Sequence, residues 1–115
     1  MEPSTPVPAL ALVRDLMFSS KITATARALG TEVQIIRDPA KLADQNGRLL
    51  IADLNLPGAV EAAAAWHQAN PAARALGFVS HVDTDTIHKA RAAGLEVVAR
   101  SGFVETLPTL LAKGE

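Results

Sequence analysis

Cysteine is absent from the chain. Disulfides, thiolate nucleophiles and cysteine-ligated zinc or iron–sulfur sites are therefore excluded, and a reducing compartment, the cytoplasm, is the expected setting. Tyrosine is absent too, and the aromatic residues are only Phe18, Trp66, Phe78 and Phe103. The formal net charge is -1 and no basic run occurs, so the electrostatic footprint of a nucleic-acid binder is missing. No apolar stretch approaches 18 residues, so no membrane insertion is expected. The opening Met1-Glu2-Pro3-Ser4-Thr5-Pro6-Val7-Pro8 has no charged segment before an apolar one, unlike a signal peptide. Its three prolines predict a flexible, extended arm over residues 1–8. Glycine is missing between Arg14 and Lys21, so no glycine-rich phosphate loop follows the first apolar run and nucleotide or flavin binding loses its main support.

What remains is the composition of one folded unit, a single domain over residues 9–115. The 115 residues are 49% hydrophobic, and 22 are alanine. Such a chain packs its helices closely on a thin core. Apolar runs alternate with segments of helical period. Strands are predicted at Ala9–Val13, Glu32–Arg37, Arg48–Leu54, Ala75–Ser80 and Leu95–Ala99. The first helix is predicted from an N-cap at Ser19 or Ser20 to Gly30. A short second helix starts at Asp38-Pro39 and stops at Asn46-Gly47. Ala59–Ala69 forms a third, ended by Asn70-Pro71. Asp83 or Thr84 caps a fourth, which Gly94 ends. Thr106 caps a short fifth, with Pro108 in its first turn.

Five strands alternating with five helices imply an α/β fold. The expectation is a three-layer (βα)5 sandwich, flavodoxin-like, with a five-stranded parallel sheet of order 2-1-3-4-5. Ligands of such sheets sit beyond the carboxyl ends of the strands. The residues there are Arg14 and Asp15, then Asp53 and Asn55, then Ser80, His81 and Asp83, and finally Arg100 and Ser101.

The segment Leu50-Ile51-Ala52-Asp53-Leu54-Asn55-Leu56-Pro57-Gly58 resembles the phosphoacceptor strand and loop of CheY-like receiver domains of bacterial response regulators. In that family the strand ends in aspartate and proline follows four residues later, as Asp53 and Pro57 do. Ser80 matches the family's Thr/Ser switch position, and Ala92-Ala93-Gly94 before the fifth strand is also typical. The likeness spans roughly residues 9 to 112. It implies a two-component signalling module with Asp53 as its phosphoacceptor-like residue.

Two departures qualify this. Receivers carry two acidic residues after the first strand, where this chain has Arg14-Asp15. They also carry a lysine after the fifth, where this chain has Ser101, followed by Gly102-Phe103. If the strand continued, Arg100 would alternate to the other face. The expectation is therefore an atypical or pseudo-receiver, standing alone because no output domain follows Glu115.

Phosphoryl transfer to a carboxylate needs Mg²⁺, which takes an octahedral shell of oxygens. By the resemblance, Asp15, Asp53 and the Asn55 backbone carbonyl are its candidate ligands. An arginine at position 14 opposes this, because two unit charges about 4 Å apart interact by roughly 4 kcal/mol at an effective dielectric near 20. The expectation is that Arg14 takes the cation's place beside Asp53 or Asp15. Plainer roles exist for the same residues. Asp15 can cap a helix, Ser80 and Ser101 can bond local backbone, and His81 with Asp83 can be a solvated pair. The three histidines form no zinc motif, Ser80-His81 is no triad, and Trp66 reads as core or interface packing.

Three functions follow from this reading. The first is a non-enzymatic signalling module with a degenerate phosphorylation pocket. It acts through a protein partner (a histidine kinase or downstream regulator) or as a homodimer. By the resemblance, its contact face would be the surface of the last two helices and fifth strand, drawing on Ile87, His88, Arg91, Val97, Ala99, Leu107, Leu110 and Leu111, some of which must be core. The second is a Mg²⁺-dependent receiver phosphorylated on Asp53. The third is a small-molecule or anion sensor using Arg14, Ser80, Arg100 and Ser101 over the strand ends.

Overall fold

The computed structural model describes residues 8–80 and 83–112. The predicted arm at residues 1–8 falls outside it except for Pro8, and so does His81. Five parallel strands form one sheet: β1 (Ala9–Leu12), β2 (Val33–Ile36), β3 (Leu49–Asp53), β4 (Arg74–Val79) and β5 (Glu96–Ala99). Their order is β2-β1-β3-β4-β5, the order expected. The chain runs outward from β1 to β2, then crosses back to β3. The strand order therefore reverses at β1, and the open crevice lies at the carboxyl ends of β1 and β3.

Burial on both faces explains the near-continuous apolar runs. Along β1 and β3, Leu10, Leu12, Leu50 and Ala52 face one layer. Ala9, Ala11, Leu49 and Ile51 face the other. The first layer is closed by α2 (Ala59–Ala69) and α3 (Thr84–Ala92), with a 3₁₀ turn at Pro39–Asp44. The second is closed by α1 (Leu16–Ala28) and α4 (Arg100–Ala112). The alanine-rich α2 places Ala59 and Ala63 against the sheet, which brings Trp66 down with them to 2% exposure. Its indole N–H donates to the Gln45 carbonyl at 2.9 Å, so Trp66 packs the core as expected. Gly77 has a packing reason: a Cβ there would lie 2.4 Å from Leu54 Cγ, and Leu54 is itself buried.

Three boundaries differ from the sequence expectation. The first helix starts at Leu16, its cap four residues earlier than Ser19, because Asp15 caps it: Oδ1 accepts from the Met17 and Phe18 amides at 2.8 and 3.2 Å. Its end is as expected, with Gly30 at φ 71. The short second helix is the 3₁₀ turn, capped by Asp38 on the Ala40 amide. The last helix starts at Arg100 instead of near Thr106, and Pro108 lies in its interior. Thr106 does not cap it; its hydroxyl donates to the Phe103 carbonyl at 2.7 Å. A proline inside a helix costs about 3 kcal/mol. Burial of Phe103, Leu107, Leu110 and Leu111 outweighs that, at roughly 1.5–3 kcal/mol for each large apolar side chain.

Trp66→Ala is expected to lower unfolding stability by about 3–5 kcal/mol in urea titrations, and Trp66→Phe by less, since it keeps a ring but loses the bond to Gln45. Gly77→Ala is expected to cost about 1–3 kcal/mol by the same assay, because Leu54 has nowhere to move.

Candidate functional site

Asp53 is the last residue of β3 and shares the face of Leu49 and Ile51, toward α1 and α4. It is 4% exposed, one of two buried polar residues among those described. Its Oδ1 accepts the Asn55 amide at 3.0 Å. Burial raises the carboxyl above its ordinary value of 3.8; the Asn55 hydrogen bond and then the Arg100 charge oppose this, and the Asp15 charge adds to it.

A buried carboxylate needs a counter-charge. Arg100 supplies it. One guanidinium nitrogen, Nη1, lies 3.7 Å from Asp53 Oδ1, and the other, Nη2, lies 3.8 Å from Asp15 Oδ2. The cation thus bridges both acids. Beneath it lies an aromatic floor. The guanidinium carbon is 4.8 Å from the Phe18 ring centroid and 5.7 Å from that of Phe78. Phe78 stacks on Phe103 at 4.2 Å and touches Phe18 at 4.9 Å. Every phenylalanine of the chain is in this cluster. The gross attraction of each pair is about 4 kcal/mol at an effective dielectric of 20. Desolvation of Asp53 and solvent screening at the partly exposed Arg100 offset most of it.

The strand continuation that would send Arg100 away does not occur. β5 ends at Ala99 and Arg100 opens α4, so helical geometry aims the side chain back over the sheet. Arg14, by contrast, is not in the pocket. Leu12 is paired with Ile36, so the next residues carry Arg14 beside Arg37 at the sheet edge. There Arg14 Nε donates to the Arg37 carbonyl at 2.9 Å, and Arg37 Nη2 to the Arg14 carbonyl at 3.5 Å. The expected role of Arg14 is filled by Arg100.

Asp15 divides its oxygens between capping α1 and facing Arg100. Asn55 ties the loop after β3 to the end of β4: its Oδ1 accepts the Ser80 amide at 3.2 Å and its Nδ2 donates to Asp83 Oδ2 at 3.1 Å. Asp83 is also engaged at the start of the next helix. It caps α3 through Thr86, whose hydroxyl and amide hold the carboxyl below its usual range. Pro57 lies in the same loop, lining a cleft of about 240 Å³ with Asn55 and Asp83. Ser101 is exposed on the second residue of α4, with no hydrogen bond or ion pair to the acids among the described residues. The anion-sensing set therefore does not converge: Arg14 is at the edge, Ser101 faces out, and Arg100 is occupied by carboxylates.

The donor set does not fit a Mg²⁺ ion as arranged. Such a site needs free carboxylate oxygens, yet Asp15 Oδ1 serves a helix cap, Asp53 Oδ1 serves a backbone amide, and a guanidinium lies between the two acids. Among the described residues no group of three or more His, Cys, Asp or Glu converges on a metal position. Among the described residues, no large apolar side chain is exposed on the last two helices or β5. Leu107, Leu110 and Leu111 are core, Ile87 and Val97 are half-buried against it, and His88, Arg91 and Ala99 are what that face exposes. The large apolar side chains that are exposed include Leu16 and Met17, at 67% and 66%, directly after Asp15.

No family model matches the chain, and no curated protein matches it in sequence. Solved structures do match its fold. A CheY-like response regulator receiver domain from Methanospirillum hungatei superposes with a TM-score of 0.76 at 16% identity, covering 96% of this chain and 97% of that one. The beryllofluoride-activated receiver domain of DrrB, a Thermotoga maritima protein, gives 0.79 at 14% identity, with coverages of 96% and 97%. The chemotaxis response regulator CheY4 of Vibrio cholerae gives 0.77 at 19% identity, covering 96% of this chain and all of that one. The fold is that of receiver domains over nearly the whole chain. No helix among the described residues is long and apolar enough to cross a membrane.

The raised carboxyl of Asp53 has a consequence for stability. Native Asp53 gives up its proton less readily than unfolded Asp53, so stability falls as pH rises from the ordinary value of 3.8 through the native value, then stays lower. Asp53→Asn is expected to melt a few degrees above wild type at pH 7, and the gap is expected to close as pH falls below about 4. Arg100→Ala is expected to cost about 1 kcal/mol and Arg14→Ala less than half of that, measured by chemical denaturation at neutral pH.

Proposed function

We propose that the chain is a non-enzymatic, receiver-like signalling module whose acidic pocket is neutralised from within, and that it acts by binding a protein partner. The observation that carries this is the position of Arg100, within 3.8 Å of both acids. A guanidinium is permanently charged and cannot be displaced by a change of pH. Placed between Asp15 and Asp53, it supplies the positive charge that a phosphorylation pocket takes from a metal ion. The same charge competes with that ion for the carboxylates. Output that does not wait for a phosphoryl group follows from this.

Leu16 and Met17 support the protein-partner part of the reading. Exposed apolar side chains beside a charged pocket are a contact surface for another protein. The absence of cysteine accords with a cytoplasmic location. A histidine kinase, a downstream regulator and a second copy of the chain are the partner types that the fold brings to mind.

The second reading keeps Asp53 as a phosphoacceptor with Mg²⁺. It is favoured by the retained Asp15 and Asp53 pair and by the fold likeness to a beryllofluoride-activated receiver.

Amide NMR separates the two. Wild type is expected to show no saturable shifts with millimolar Mg²⁺, and none with Mg²⁺ plus beryllofluoride. Arg100→Ala is expected to gain Mg²⁺-dependent shifts centred on Asp15 and Asp53. Wild-type shifts at Asp53, Ser80 and Asp15 with beryllofluoride, lost in Asp53→Asn, would overturn the first reading and establish the second.

A further inference from the structure

The face of α1 beside the edge strand β2 has an unusual composition. A helix packed at a sheet edge is expected to cover it with apolar side chains. Here Ser19, Ser20 and Thr23 lie along α1, Arg27 follows one turn later, and across from them stand Ile35 and Arg37 of the β2 side. Together with Ala24 they line an open surface depression of about 470 Å³. None of the groups around Asp53 lines it.

The charges of this groove are not compensated. Among the described residues, neither Arg27 nor Arg37 has a carboxylate within ion-pair distance. Of the acids near them in sequence, Asp15 caps α1 and faces Arg100 and Asp38 caps the 3₁₀ turn, while Glu32 is exposed and forms no ion pair with either arginine. Arg14, which does not line the groove, and Arg37 bond each other's carbonyls instead of a carboxylate. Two like charges held side by side without a counter-ion raise the local potential and attract an anion. The hydroxyls of Ser20 and Thr23 make no hydrogen bond to another described residue, which leaves donors and acceptors for a ligand. Ile35 is half-buried and gives the groove an apolar wall.

These features select a ligand class. Guanidinium groups match a phosphate by paired N–H donors. Free serine and threonine hydroxyls match a ligand that itself carries hydroxyls. No aromatic side chain lines the groove, so a nucleobase would find no stacking surface. We propose that the groove between α1 and β2 binds a small phosphorylated polyol, a sugar phosphate, with the phosphate at Arg37 and the hydroxyls along Ser20 and Thr23. The site is independent of the Arg100 pocket, so either can fail without the other.

The test is a two-dimensional amide NMR titration of the full chain at fixed ionic strength. The probes are ribose 5-phosphate, ribose, inorganic phosphate and adenosine 5′-monophosphate. Ribose 5-phosphate is expected to give saturable shifts at Ser20, Thr23, Arg27 and Arg37, with affinity at least tenfold weaker for Arg37→Gln and unchanged for Asp53→Asn. Ribose is expected to be silent and inorganic phosphate weaker than the ester. The monophosphate nucleotide is expected to bind no tighter than ribose 5-phosphate, since the sugar phosphate is the shared element. Equal affinity for inorganic phosphate would overturn the sugar-phosphate assignment, as would binding that survives Arg37→Gln or no saturable shift at all. A nucleotide bound tenfold tighter would overturn the exclusion of the base. Arg27→Gln, an exposed substitution that leaves the core intact, serves as the second variant.

Discussion

A carboxylate buried at the end of the central strand is the constraint around which this molecule is arranged. Asp53 is 4% exposed and sits over an apolar layer, where an unpaired charge is costly. Everything near it answers that cost. The Asn55 amide donates to it, α4 begins one residue after β5 so that Arg100 can reach it, and Phe18 and Phe78, the latter stacked on Phe103, form a surface on which the guanidinium lies. The balance still favours the neutral carboxyl relative to water. The pocket is thus partly compensated, with a guanidinium of its own between the two acids.

Most of the architecture was legible in the amino-acid sequence. The apolar runs of β1, β3 and β4 are strands buried on both faces, and the alternation of strands and helices implied the parallel sheet whose order the structure shows. The polar sites were legible as a set but not as pairs. Arg14 and Arg100 both stand at strand ends, and sequence spacing cannot say which one turns inward. That choice depends on where β5 stops. A strand continuing through Arg100 would send it outward, whereas a helix beginning there brings it back over Phe18 and Phe78. The signal that could have revealed this lies in Phe103, Leu107, Leu110 and Leu111. Their helical spacing extends back to Arg100, and Pro108 masked it.

The same edge effect explains why Arg14 is elsewhere. β2 is a sheet edge, so the residue following β1 can reach sideways to the Arg37 carbonyl, and a hydrogen bond there competes with a place in the pocket. Arg14 stands instead beside Arg37, one of the two arginines that line the groove between α1 and β2.

The most direct measurement is the titration of the Asp53 side-chain carboxyl by carbon-detected NMR, in wild type and in Arg100→Gln. The account predicts that Asp53 titrates above its ordinary value in wild type and higher again when the guanidinium is removed. An Asp53 titration that is indifferent to Arg100→Gln would place the arginine outside the pocket and contradict the account.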